Sequence, residues 1–209
     1  MEKFNFLTVI RGKDLESLNG SGLIGIAPTP PGSQQLIDPM NYGVAGFIAQ
    51  LKVSQEFNKE FDQIFSIYLS NDGLTPGDIS FGGFDLDKFA KKDKKLIWAD
   101  QSTNEAYWAA NTNSAYFGDA KLATHNQQVI FDNGMSLAMI PEKSFVPLVK
   151  KLHEYGFKCQ ETMPYWTCEG SPDQFMTLPP ITLNLMLNPK GESANIHMPK
   201  EGYMRYDPS

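Results

Sequence analysis

Only three histidines and two cysteines occur in 209 residues. His125, His153 and His197 stand far apart, with no H-x-x-x-H and no Cys-His spacing. No metal centre and no cofactor are expected on that basis. Phosphate-cradling loops are missing as well. No Walker loop appears, no G-x-G-x-x-G follows a strand-like run, and there is no G-x-S-x-G elbow. Gly20-Ser21-Gly22 and Gly25 sit in G-S-G-L-I-G-I-A-P, which is too apolar for a phosphate site and has no helix directly after it. That segment reads as a tight turn into a buried strand. Positive charge is also scarce: 18 Lys and Arg face 24 Asp and Glu, a formal net charge of -6. Nucleic acid is therefore excluded as the main partner, because a phosphate backbone needs a basic face. The longest basic run, K-K-D-K-K at residues 91–95, reads as a solvated loop. No apolar stretch approaches about 18 residues, so no transmembrane helix is expected. The N-terminus, M-E-K-F-N-F-L-T-V-I-R-G, is too short and polar for a signal peptide. It leaves a cytosolic, a processed and a partial chain all open.

What is present reads as short β-strands. The hydrophobic share, 41%, and the charged share, 20%, are those of a globular chain long enough to bury a core in one or two domains. Residues 64–69 (I-F-S-I-Y-L) and 78–83 (D-I-S-F-G-G) flank a turn-rich N-D-G-L-T-P-G and predict a hairpin. Further strands are expected at 96–99, 107–113, 128–131, 181–187 and 194–197. Turn formers separate them at fairly regular intervals, the pattern of an all-β sandwich or barrel-like fold. Two segments predict helices. Residues 46–59 place Phe47, Ile48, Leu51 and Phe57 at helical spacing. In 141–155, Pro141 suits the first helical position, Phe145, Leu148, Val149 and Leu152 form an apolar stripe, and Gly156 is a stop signal. The spacing of Cys159 and Cys168 suits a small disulfide-closed hairpin or loop; two free buried thiols are the alternative. Asn19-Gly20-Ser21 is a glycosylation acceptor pattern.

The sharpest local feature is V-I-F-D-N-G-M-S-L at residues 129–137. Asp132 follows an apolar run and precedes a glycine turn, which can hold a carboxylate out of a sheet at a fixed angle. A bare D-N-G is a common turn, because Asn and Gly tolerate positive φ. Its neighbours give it context. Read in order, the segments resemble the pepsin-like aspartic protease family. Residues 22–27 (G-L-I-G-I-A) are similar to the family's G-I-L-G-L-G strand. Residues 65–69 and 77–85 (G-D-I-S-F-G-G-F-D) match F-S-V-Y-L … G-x-L-x-F-G-G-x-D. Leu96-Ile97-Trp98 and Tyr107-Trp108 match L-x-W … Y-W. Residues 129–141 match the second catalytic loop with its trailing proline. Residues 178–183 (L-P-P-I-T-L) resemble L-P-D-I-x-F, and 196–203 resemble I-P-x-x-x-Y.

The resemblance implies an all-β, pepsin-like β-barrel lobe with two short helices, in an incomplete bilobal architecture. It divides the chain into a remnant of the first lobe (1–63), an interlobe hairpin and connector (64–95), and a truncated second lobe (96–209). Asp132 takes the place of the second lobe's catalytic aspartate, with Asn133, Gly134, Met135 and Ser136 as its supporting loop. Asn133 stands where the family has a Thr or Ser that ties two loops together, and Met135 where a hydroxyl supports the carboxylate. A thioether cannot donate that hydrogen bond. The family's D-T-G loop and flap tyrosine have no counterpart in the sequence, and neither does its late I-L-G-D-x-F-L-R strand. The expected function is a non-catalytic, aspartic-protease-like module with a binding or structural role. Another protein chain would cover the absent half. The alternative is an aspartic endopeptidase acting on an extended peptide, with its first aspartate, flap and last strand on another chain or segment. The family implies a secretory, vacuolar or lysosomal route.

Overall fold

A computed structural model describes residues 22–28, 46–53, 61–70, 74–102, 107–135, 137–162 and 165–204. Backbone pairing dominates them, with short helices between the strands. The chain divides into two compact units, one of residues 1–96 with 105–107 and one of 97–104 with 108–209.

In the first unit, helix α1 (Phe47–Val53) carries Ile48 and Leu51 into a small cluster with Phe61. The remainder of the helix expected at 46–59 lies outside the described residues, as does Asn19. Strands β1 (Phe65–Tyr68) and β2 (Asp78–Phe81) form the predicted hairpin, with Phe65 opposite Phe81. Gly82 follows at φ +85, a conformation that glycine adopts without a Cβ penalty. A short helix not foreseen, α2 (Leu86–Phe89), is capped by the Asp85 carboxylate on the Lys88 N–H. The strand expected near residues 22–27 does not form: Leu23 and Ile24 are 81% and 68% exposed.

The second unit is built on one four-stranded antiparallel sheet. Strands β3 (Ala109–Phe117), β4 (Ala120–Ile130), β7 (Ile181–Met186) and β8 (Ser193–Met198) lie in the order β4-β3-β7-β8. This sheet is open; among the described residues no strand closes it into the expected barrel. β3 turns into β4 through Gly118, at φ +58, and Asp119. β4 begins eight residues before the strand expected at 128–131, and β3 runs to Phe117 rather than 113. The polar stretch at the start of β4 hid it: A-K-L-A-T-H-N-Q-Q offers few β-branched residues, and pairing with β3 overrides propensity. Residues 96–99, expected as a strand, form none. Just beyond them the Asp100 N–H donates to the Leu187 carbonyl at 2.8 Å.

Helix α3 (Glu142–Glu154) follows the predicted span closely. Pro141 is its N-cap rather than its first residue, and its carbonyl accepts from both the Ser144 and Phe145 N–H groups. The stripe faces inward: Leu148 and Leu152 are buried, with Phe145 packed beside them. Gly156, at φ +90, ends the helix, and a Cβ there would collide with the Gln174 amide. β5 (Lys158–Thr162) and β6 (Tyr165–Glu169) form a hairpin closed by the Cys159–Cys168 disulfide. This settles the alternative left open by the spacing. α4 (Pro172–Met176) begins with a full capping box from Ser171 and Gln174, and α5 (Lys200–Tyr203) follows β8.

The core lies between α3 and one face of the sheet. It joins Phe117, Leu122, Leu148, Leu152, Phe157, Leu178 and Ile181. Phe117 is 1% exposed, and the rings of Tyr155 and Tyr203 meet it edge-on at 5.9 and 5.7 Å. Burying a side chain of that size contributes about 1.5–3 kcal/mol. The Tyr203 hydroxyl donates to the Pro179 carbonyl at 2.6 Å, fastening α5 to the entry of β7. Burial raises its pKa well above the ordinary 10.0, and the Glu201 charge adds to the shift.

Candidate functional site

Strand pairing brings the chain to Asp132. β4 ends at Ile130, and the Phe131 N–H donates to the Trp108 carbonyl at 2.8 Å, carrying the ladder one residue further. The chain then turns. The Met135 N–H approaches the Asp132 carbonyl at 3.4 Å, and the Gly134 N–H donates to the Asp132 Oδ1 at 2.8 Å. The side chain thus imitates one more backbone group, an Asx-type turn. Glycine at 134 lets the two groups approach closely, since a Cβ there would stand 3.1 Å from that oxygen.

Asp132, Asn133 and Gly134 are all exposed. Among the described residues, the Asp132 carboxylate accepts this one hydrogen bond, from its own loop. Met135 is 49% exposed and supplies no donor to it. Ser136 lies outside the described residues. Apolar side chains surround the carboxylate in sequence: Ile130, Phe131, Leu137 and Met139 are exposed, Met139 to 82%. A soluble surface does not usually show such a run uncovered.

The other chemically versatile groups have structural employment. The His153 Nδ1 lies 2.9 Å from the Phe157 carbonyl at the end of α3. The His197 Nδ1 lies 3.0 Å from the Thr182 hydroxyl across β7 and β8. The side chain of His125 is outside the described residues. Among the described residues, no group of three His, Cys, Asp or Glu side chains could hold a metal ion. Cys159 and Cys168 are consumed by their disulfide. The structure thus assembles the Asp132, Asn133, Gly134 and Met135 loop as one turn and keeps the disulfide apart from it, on the β5–β6 hairpin. Sequence reasoning missed the part of Trp108, whose carbonyl fixes the last residue before the turn; the pairing spans more than twenty positions and leaves no local signal.

The family model described as eukaryotic aspartyl protease matches residues 2–208. Pepsin A of Gallus gallus is 32% identical over 90 residues, which is 43% of this chain and 23% of that protein. The aligned stretch thus spans about a quarter of that relative's length.

Proposed function

The chain belongs to the eukaryotic aspartyl protease family, and on that premise we propose that it is a non-catalytic, aspartic-protease-like module that works by binding. One observation carries this reading. The Asp132 carboxylate rests on the Gly134 N–H of its own turn, with the exposed Met135 thioether where the family places a hydroxyl. Aspartic-protease chemistry divides acid and base roles between two carboxylates that share one proton. Asp132 stands in Asp-Asn-Gly, and no Asp-Thr-Gly or Asp-Ser-Gly occurs in these 209 residues. A single exposed aspartate in a turn cannot supply both roles. The loop keeps the shape that Asp132 and Gly134 impose while losing the donor that would orient a charged nucleophile-activating group.

The same region supports a binding role. The exposed apolar side chains from Ile130 to Met139 favour burial against another protein chain. Residues 1–63, 64–95 and 96–209 are read, on family grounds, as first-lobe remnant, interlobe hairpin with connector, and second lobe.

The retained Asp132–Gly134 hydrogen bond favours a second reading. Here the chain contributes one carboxylate to an aspartic endopeptidase, and another chain or segment contributes its twin. An extended peptide would be the substrate, held by backbone pairing. Cleavage of an unfolded protein at acidic pH, with and without a pepstatin-type transition-state mimic, separates the two. Neither the purified chain nor the assembly in which it occurs, with every partner chain and segment retained, is expected to show inhibitor-sensitive cleavage, whereas the second reading expects it of the assembly. Inhibitor-sensitive cleavage that disappears in Asp132→Ala overturns the non-catalytic reading.

A further inference from the structure

The basic run at residues 91–95 has no part in the Asp132 loop, yet its setting is unusual for this chain. Residues 91–101 are all exposed. Within 91–97 the one backbone hydrogen bond among the described residues runs from the Lys94 N–H to the Lys91 carbonyl, at 3.1 Å. Neither helix nor strand includes any residue from 94 to 102. Asp93 takes a φ of +64, a left-handed turn that a non-glycine residue adopts rarely. Among the described residues no ion pair occupies the ammonium groups of Lys91, Lys92, Lys94 or Lys95. Every other described lysine sits in a helix or strand, except Lys190, whose N–H is tied to the Asn188 side chain in a tight turn.

We propose that this segment is a processing site for a lysine-directed endoprotease, which hydrolyses the bond between Lys95 and Leu96. Such an enzyme binds its substrate as an extended strand, so it needs backbone groups that are not already paired. Lysines inside helices or strands become available only after local unfolding, whereas exposed, unpaired segments are nicked directly. The Lys95 ammonium enters an anionic specificity pocket, and Lys94 adds a second positive charge beside it. Lys92 is less suited, because the Asp93 carboxylate and its left-handed turn follow at once. Water supplies the co-reactant. Its oxygen bonds to the Lys95 carbonyl carbon as the bond to the Leu96 nitrogen breaks; Lys95 leaves as a carboxylate and Leu96 as an ammonium, with no change of oxidation state.

The position gives the cut a defined consequence. The first unit's long span ends at Leu96 and the second begins at Ile97. Cleavage therefore separates residues 1–95 from a piece that keeps the whole four-stranded sheet, the Asp132 loop and both cysteines. The disulfide closes within that second piece, so it does not tether the two products.

Brief digestion of the folded 209-residue chain with a lysine-specific endoprotease, followed by intact-mass analysis, tests this. Among the described lysines, cleavage after Lys95, giving 1–95 and 96–209, is expected to be at least roughly ten times faster than cleavage after any other. The Lys94→Gln, Lys95→Gln double variant should slow that cut at least about tenfold while its circular dichroism and non-reduced mass stay those of a folded, disulfide-bonded chain. Faster cleavage of the unaltered chain after any other described lysine than after Lys95 overturns the proposal. So does unchanged nicking at this segment in the double variant.

Discussion

Gly134 donates its N–H to the Asp132 carboxylate at 2.8 Å, and a methyl group on Gly134 would stand 3.1 Å from the same oxygen. The glycine and the acid are one unit: the residue that gives the hydrogen bond is also the one that leaves room for it. The turn does not demand a positive φ at 134, so its need for glycine is spatial.

Gly134→Ala should therefore be tolerated by the backbone but press on the carboxylate. The expected loss is about 1 kcal/mol or less, the worth of one exposed hydrogen bond, read as a small drop in thermal midpoint. Asp132→Asn keeps the accepting oxygen and should melt with the unaltered chain, whereas Asp132→Ala should melt with Gly134→Ala. A Gly134→Ala loss several times larger would mean that the turn supports more than its own residues.

Cys159 and Cys168 are direct cross-strand partners, with Cα atoms 4.0 Å apart, and both pack against the main core. Closing so short a loop is worth about 2–3 kcal/mol in a chain-entropy account. The Cys159→Ser, Cys168→Ser double variant should lower the denaturant midpoint by that amount. Adding reductant should lower the midpoint of the unaltered chain and leave the double variant where it is.

The Tyr203 hydroxyl meets the Pro179 carbonyl at 2.6 Å and is held neutral chiefly by burial, which raises its pKa above the ordinary 10.0. For a group whose folded pKa is raised, the stabilisation is complete below the unfolded value and is lost as pH climbs from there towards the folded value. The titration of Tyr203 should thus leave stability unchanged up to about pH 10 and lower it above that. Tyr203→Phe should cost about 1 kcal/mol at neutral pH, by leaving the Pro179 carbonyl unpaired, and should flatten that alkaline limb. Denaturant titrations at neutral and alkaline pH check both.

Ser144 is buried in the first turn of α3, and its Oγ has no hydrogen-bond partner among the described residues. A buried hydroxyl without a partner costs more than the methyl that would replace it. Alanine is also the better helix former. Ser144→Ala should leave stability unchanged or raise it by up to about 1 kcal/mol, measured as the shift in thermal midpoint.

Several elements could be read from their own residues. The 3.6-residue spacing of Phe145, Leu148, Val149 and Leu152, with Pro141 before and Gly156 after, located α3 within a residue or two, because helix signals are local. The β1–β2 hairpin declared itself through its turn, and β7 and β8 fall within a residue of the strands expected at 181–187 and 194–197. Where pairing partners decide, the reading failed. Residues 96–99 are as apolar as many strands but form none, while the polar opening of β4 is a strand because β3 lies beside it.

By itself the order of residues determined the family-like succession of segments, the D-x-G turn at Asp132 and the pair of cysteines, since each depends on near neighbours. Only the folded chain decided that Cys159 faces Cys168, that Trp108 holds the residue before the turn, and that the carboxylate rests on Gly134. A ladder, a disulfide and a hydrogen bond each need a partner whose position is fixed by the rest of the sheet, and that position is a property of the assembled molecule.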